Sequence, residues 1–293
     1  MISRMRAYRV AIAVLVALAL PTSAGAASIV FEGAGADAAS IQPAVEAFRA
    51  ALGNPNNGDA PGPLFTGRRE INWDGGGQAT ATTQSFSPFN GFVNNRGAFF
   101  TNTGFPFPEI NQFEQATPFG LAALHHDPTL ANLKTFSDPR LFAQKEPRLI
   151  NVDFFVPGTN AGLAPDALPS GVPATVKGFG AVFSNVASPG DASLGFLNAT
   201  GSSLVPPALG DPFGRLSVSP FAGGLSFLGV ISLDDSIFNV EIISGSFGGN
   251  FVAMDDFLFS EPTAVVPEPA TLLLFGSTMA GLGLARWRRR RQN

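Results

Sequence analysis

Beyond residue 150, hydrophobic and polar positions fall into short runs separated by turn residues. Phe238-Asn239-Val240-Glu241-Ile242 alternates, with Phe238, Val240 and Ile242 on one side, the period of a half-buried strand. Ile150 to Val156, stopped by Pro157-Gly158, and Ala174 to Val186, stopped by Ser188-Pro189-Gly190, predict two more strands. Leu225 to Leu233 is apolar on both faces, as in a central strand, and Phe251 to Phe259 ends the series before Glu261-Pro262. A helical period occurs early: Ile41, Val45, Phe48 and Leu52 share one face, Ser40 is a candidate cap and Gly53 a stop. Between these regions lie a Pro/Asn/Gly loop from Asn54 to Pro63 and shorter aromatic runs at Ile71-Asn72-Trp73, Gly91-Phe92-Val93 and Gly97 to Phe100. Phe105-Pro106-Phe107-Pro108 is extended and excluded from a central strand, and Leu121 to Leu133 is a short helix broken at Pro128. With no βαβ alternation and no fixed repeat, the expectation is a mainly β chain, an antiparallel β-sandwich with a short N-terminal helix.

Both ends carry a different pattern. Arg4, Arg6 and Arg9 precede an unbroken apolar run from Val10 to Leu20, and Ala24-Gly25-Ala26 follows. Basic region, short apolar region and small-residue site are the parts of a secretory signal peptide, so residues 1–26 are read as one, cleaved after Ala26. At the other end, Pro267-Glu268-Pro269 forms an extended joint before the apolar segment Ala270 to Ala285. Sixteen residues at about 1.5 Å each give roughly 24 Å, short of the ~30 Å hydrocarbon core. Trp287 extends the segment to the interface, and Arg286, Arg288, Arg289, Arg290 and Arg291 hold its end on the cytoplasmic side as a membrane stop. The ends thus agree on one topology, with residues 27–264 outside and the tail, 265–293, crossing as a transmembrane-type helix.

This tail resembles the PEP-CTERM sorting signal of Gram-negative bacteria. The resemblance implies that an exosortase recognises Pro267-Glu268-Pro269 and moves the protein from the inner membrane to the cell surface or extracellular matrix. It also implies a setting of extracellular polysaccharide and biofilm. Several blocks of the body are similar to those of secreted bacterial proteins with this tail. They are Ile71-Asn72-Trp73-Asp74-Gly75, Asn95-Arg96-Gly97, Phe154 to Thr159, Val176 to Phe183, Gly224 to Val230 and Met254-Asp255-Asp256-Phe257. The closing block also resembles jelly-roll, galactose-binding-like modules, which implies a jelly-roll sandwich.

Composition narrows the partners. Eight of the 18 basic residues are arginines of the two ends, and Glu268 alone of the 22 acidic residues lies there, so the body carries 10 basic and 21 acidic residues, a net −11. Nucleic acid, which needs clustered Lys and Arg, is not expected as a partner. The chain has no cysteine, which removes thiolate metal sites and cysteine nucleophiles.

Candidate chemistry is sparse. Asp255-Asp256 is the candidate calcium site: a regular strand points the two side chains to opposite faces, so they share an ion only across a bulge or turn, and otherwise one is a ligand while the other faces solvent. Trp73 and Asp74 are a candidate ligand-binding pair, the indole stacking on a sugar face while the carboxylate bonds its hydroxyls. Asp234-Asp235 and Asn94-Asn95-Arg96 read as turns, and His125-His126-Asp127 as a helix end, since adjacent rings cannot share an ion. No Gly-x-Ser-x-Gly, His-Glu-x-x-His or P-loop occurs, and Gly178-Phe179-Gly180 lacks the rest of a dinucleotide fingerprint. The reading is a non-catalytic binding or adhesion module for extracellular polysaccharide. The alternatives are a hydrolase or lyase acting on such polymers, or a purely structural coat protein.

Overall fold

The computed structural model describes residues 27–75, 83–102, 112–144, 149–205, 210–234, 236–245 and 249–265. The signal peptide, Phe105 to Pro108, Asp235 and the tail beyond Val265 lie outside these residues. In chain order the elements are β1 (Ser28–Gly35), α1 (Ala38–Leu52), β2 (Arg68–Ile71), β3 (Thr83–Phe86), β4 (Ala98–Asn102), β5 (Gln112–Ala116), α2 (Pro118–His125) and a 3-10 turn (Pro128–Asn132). There follow β6 (Leu141–Gln144), β7 (Leu149–Phe155), β8 (Pro173–Thr175), β9 (Gly178–Val186), β10 (Ala192–Leu197) and β11 (Arg215–Ser217). The last four are β12 (Phe221–Ser232), β13 (Asn239–Ser244), β14 (Ala253–Ser260) and β15 (Thr263–Ala264).

The strands form two antiparallel sheets. One runs β1-β12-β9-β14-β6-β5-β3, with β2 also on β14; the other runs β11-β10-β13-β7-β8-β15, with β4 also on β7. The chain is therefore mainly β, and no helix among the described residues is long and apolar enough to cross a membrane. Both sheets contribute to one core, including Phe179, Phe183 and Phe257 from the first and Val152, Phe154 and Ile242 from the second.

Burial explains the two kinds of strand pattern. In β7 and β13 every second residue is buried and the others are half-buried, because among the described residues the outer face of these two strands is only partly covered. Residues of β9, β12 and β14 are buried on both faces, because α1 covers the outside of the first sheet. Ala174 to Val186, expected as one strand, is two: β8 lies in the second sheet and β9 in the first, and the chain changes sheets at Val176-Lys177.

The helix α1 follows its apolar stripe. Ile41, Val45, Phe48 and Leu52 are buried, each contributing roughly 1.5–3 kcal/mol. Its N-cap is Asp37, which accepts from the Ser40 backbone N–H, so Ser40 lies inside the first turn. Gly180 and Gly229 form the trough under Phe48; a Cβ on Gly180 would lie 2.8 Å from the Phe48 ring and 2.9 Å from the Gly229 backbone. With backbone on one side, neither neighbour can give way. Gly180→Ala is expected to lower stability by about 1–3 kcal/mol, read as a drop in urea midpoint at unchanged m-value.

Candidate functional site

Asp255 and Asp256 sit where β14 is irregular. Met254 pairs with Phe183 and Phe257 with Ala181, so the two aspartates stand opposite the single residue Val182. This is the bulge that a shared site requires. Both carboxylates contact the Ser137 hydroxyl, Asp256 Oδ1 at 2.6 Å and Asp255 Oδ1 at 3.1 Å. Asp255 Oδ2 also accepts from the backbone N–H of Phe136 at 2.6 Å and of Ser137 at 3.3 Å. Arg49 of α1 reaches Asp256 at 3.4 Å and forms a closer pair with Glu70 at 2.7 Å.

Trp73 completes the bulge. Its backbone is left-handed, at φ 60°, which turns the indole inward. The ring stacks on Phe142 with centroids 3.8 Å apart, and its N–H donates to the Asp255 carbonyl at 2.9 Å. Its relative exposure is 1%, with Phe92, Phe100 and Phe257 at its edges. No face is open to a sugar ring, so Trp73 is a core residue and not the expected platform. Asp74 accepts from the Arg140 backbone N–H at 2.9 Å and so fixes the same loop.

The surroundings of the pair favour its neutral form. Burial, then the charge of Asp256, pushes the Asp255 carboxyl well above the usual range. Burial also raises Asp256 and Asp74, against the lowering effect of Ser137 on both. One hydroxyl has one hydrogen to donate, so only one of the two Ser137 contacts can be donated by serine. The closer contact, to Asp256 at 2.6 Å, takes that hydrogen, and a proton on Asp255 would serve the longer one. Calcium takes six to eight oxygens, whereas these oxygens are turned toward protein N–H and O–H groups in a closed core. Among the described residues no group of three or more His, Cys, Asp or Glu could hold a metal. The pair does not fit calcium.

The histidines stay apart in role. His125 Nε2 lies 2.6 Å from buried Glu114, His126 forms the left-handed end of α2, and Asp127 caps the 3-10 turn.

The periodicity gave no signal for a cleft of about 390 Å³ between the turn at 89–94 and the loop at 160–166. Phe89, Asn90, Asn94, Asn160 and Asp166 line it. Asn90 donates to the Ala164 and Ala167 carbonyls at 2.7 and 3.0 Å, and Asn94 Oδ1 accepts from the Asn160 N–H at 3.2 Å. Asn160 Oδ1 in turn accepts from Gly171 N–H at 2.8 Å. These amides tie the two walls together, so the cleft is formed before any ligand arrives. Asp166 stands exposed at its rim. A second hollow, about 380 Å³, lies beside Arg215, whose charge is already paired with Asp211 at 2.9 Å.

Comparison with known proteins places one segment. Residues 265–291 match the PEP-CTERM protein-sorting motif. No curated protein and no solved structure matches the chain significantly. The motif marks an exported protein that is transiently anchored in the membrane and processed by an exosortase, itself a membrane enzyme.

Proposed function

We propose that this exported, exosortase-sorted protein is a non-catalytic binding module for extracellular polysaccharide, working at the cell surface or in the matrix of a Gram-negative bacterium. Its working part is the body, residues 27–264, read as a jelly-roll-like sandwich. The tail serves as a transmembrane-type anchor through Pro267-Glu268-Pro269 and the Arg286 to Arg291 cluster until processing.

The observation that carries the reading is the preformed cleft. Its volume lies in the range of small-ligand sites, and its lining combines an aromatic ring, side-chain amides and a carboxylate. Amides and carboxylates bond sugar hydroxyls, and a ring edge covers the apolar side of a sugar. The carboxylates of Asp255 and Asp256 are buried, which speaks against a hydrolase reading built on them.

The test is a glycan array on the mature protein, followed by titration of the best ligand. Asp166→Asn keeps a residue that tolerates the left-handed backbone at this position, φ 60°, and removes only the charge. It is expected to weaken binding about tenfold, the loss of one charged hydrogen bond, with unchanged thermal stability. Silence across neutral and acidic polysaccharides overturns the reading and favours a structural coat protein.

A further inference from the structure

The folded body holds the chain up to the edge of the sorting motif. β15 pairs with β8, and the Val265 N–H donates to the Pro173 carbonyl at 3.1 Å. Four residues earlier, Glu261 is gripped by buried Arg69. Pro267 follows Val265 by two positions, and the apolar segment begins at Ala270, five positions on. Even fully extended, those five steps span no more than about 18 Å. A globule of about 240 residues has a radius of gyration near 18 Å. The tether is thus no longer than the domain is thick, and while the tail is in the membrane the exit pole cannot swing away from it.

That pole carries exposed apolar side chains. Val172 adjoins Pro173, which holds Val265, and Leu168 lies in the same loop; both are exposed. Phe65 is fully exposed and follows Leu64, whose N–H donates to Glu261. Single exposed apolar residues are ordinary on a protein surface. Here three of them stand on the segments that clamp the last residues before a membrane-bound tail.

The geometry points to a membrane-resting face: Phe65, Leu168 and Val172 dip into the lipid headgroup layer while the tail is anchored. The occupant of this face is lipid. The body's net charge of −11 is repelled by anionic headgroups, so apolar contact, not charge, makes the attachment. The inference rests on the anchoring role of the tail, and the experiment separates the two.

The chain has no cysteine, so single reporters can be placed freely. The chain from Ala27 to Asn293 is reconstituted in phosphatidylcholine vesicles as Phe65→Cys, Leu168→Cys or Val172→Cys, each labelled with an environment-sensitive fluorophore. Phe213→Cys is the control, because Phe213 is exposed just before β11, on the sheet edge opposite β15. The expected result is a blue shift, and severalfold stronger quenching by spin-labelled lipid, at 65, 168 and 172 than at 213. Equal, water-like emission at all four positions in chains that float with the vesicles overturns the face while leaving the anchor intact. Chains that fail to float overturn the anchor itself. A shift that appears only when an exosortase is reconstituted alongside identifies a protein surface instead, and also overturns the lipid assignment.

Discussion

Arg69→Met is expected to cost the fold about 3–5 kcal/mol, because it strands a buried carboxylate. Arg69 is fully buried on β2, and every N–H of its guanidinium is used. Nε and one Nη2 hydrogen go to Glu261 at 2.8 Å; the others reach the carbonyls of Gly58, Asn95 and Ala60, also at 2.8 Å. Glu261 also accepts from the Leu64 N–H and the Asn57 side chain. One side chain therefore fixes the loop from Asn54 to Gly67, the turn at Asn95 and the end of β14. For a domain of this size the loss lowers the melting temperature by about 6–20 °C. Pairing Arg69→Met with Glu261→Leu should cost less than the two single changes together, since the stranded charge is gone. Full additivity in a thermal-melt cycle would remove the ion pair as the reason for the burial.

The second expectation concerns Asp255 and pH. Folding raises its carboxyl above the ordinary value of 3.8. The folded protein therefore holds a proton that the unfolded chain releases. Stability from this group is complete below the unfolded value and is lost as pH rises through the folded one. Asp256 and Asp74 shift in the same direction. The melting temperature should fall as pH rises above the ordinary carboxyl value of 3.8. Asp255→Asn should flatten that slope, because the amide is a neutral group of the same shape. Its oxygen still accepts from the Phe136 and Ser137 N–H groups, while its NH2 faces the Ser137 hydroxyl. Asp255→Ala leaves those N–H groups without an acceptor and is expected to cost about 2–4 kcal/mol. A flat profile in the unaltered protein would show that the pair holds no proton.

The helix α1 was legible because Ile41, Val45, Phe48 and Leu52 repeat at a spacing that only a helix puts on one face. β7 and β13 were legible because only one side of each is fully buried, which enforces alternation. The split at Val176-Lys177 was not, since a strand changing sheets stays apolar throughout. β1 went unread beside the small-residue end of the signal peptide. For the aspartates, sequence set the condition of a bulge, but whether two residues stand opposite one depends on β9, far away in the chain. Trp73 shows a different limit: a lone tryptophan beside an acid reads the same whether its ring faces water or Phe142. The cleft is built from Asn90, Asn94 and Asn160, whose amides look like ordinary turn residues until the two loops meet.

The place of β14 sets an order of events. It is the last long strand, yet it is a central one, with β9 on one side and β2 and β6 on the other. During export the preceding strands reach the far side of the membrane first, and they wait there with the middle of their sheet missing. Closing it joins residues distant in sequence, the slow kind of step in folding. Only the two-residue β15 separates this strand from the tail. The slow step of folding and the processing of the tail therefore meet at the same end of the chain. A substitution that slows β14 insertion would leave the exported body with an open sheet without touching the motif.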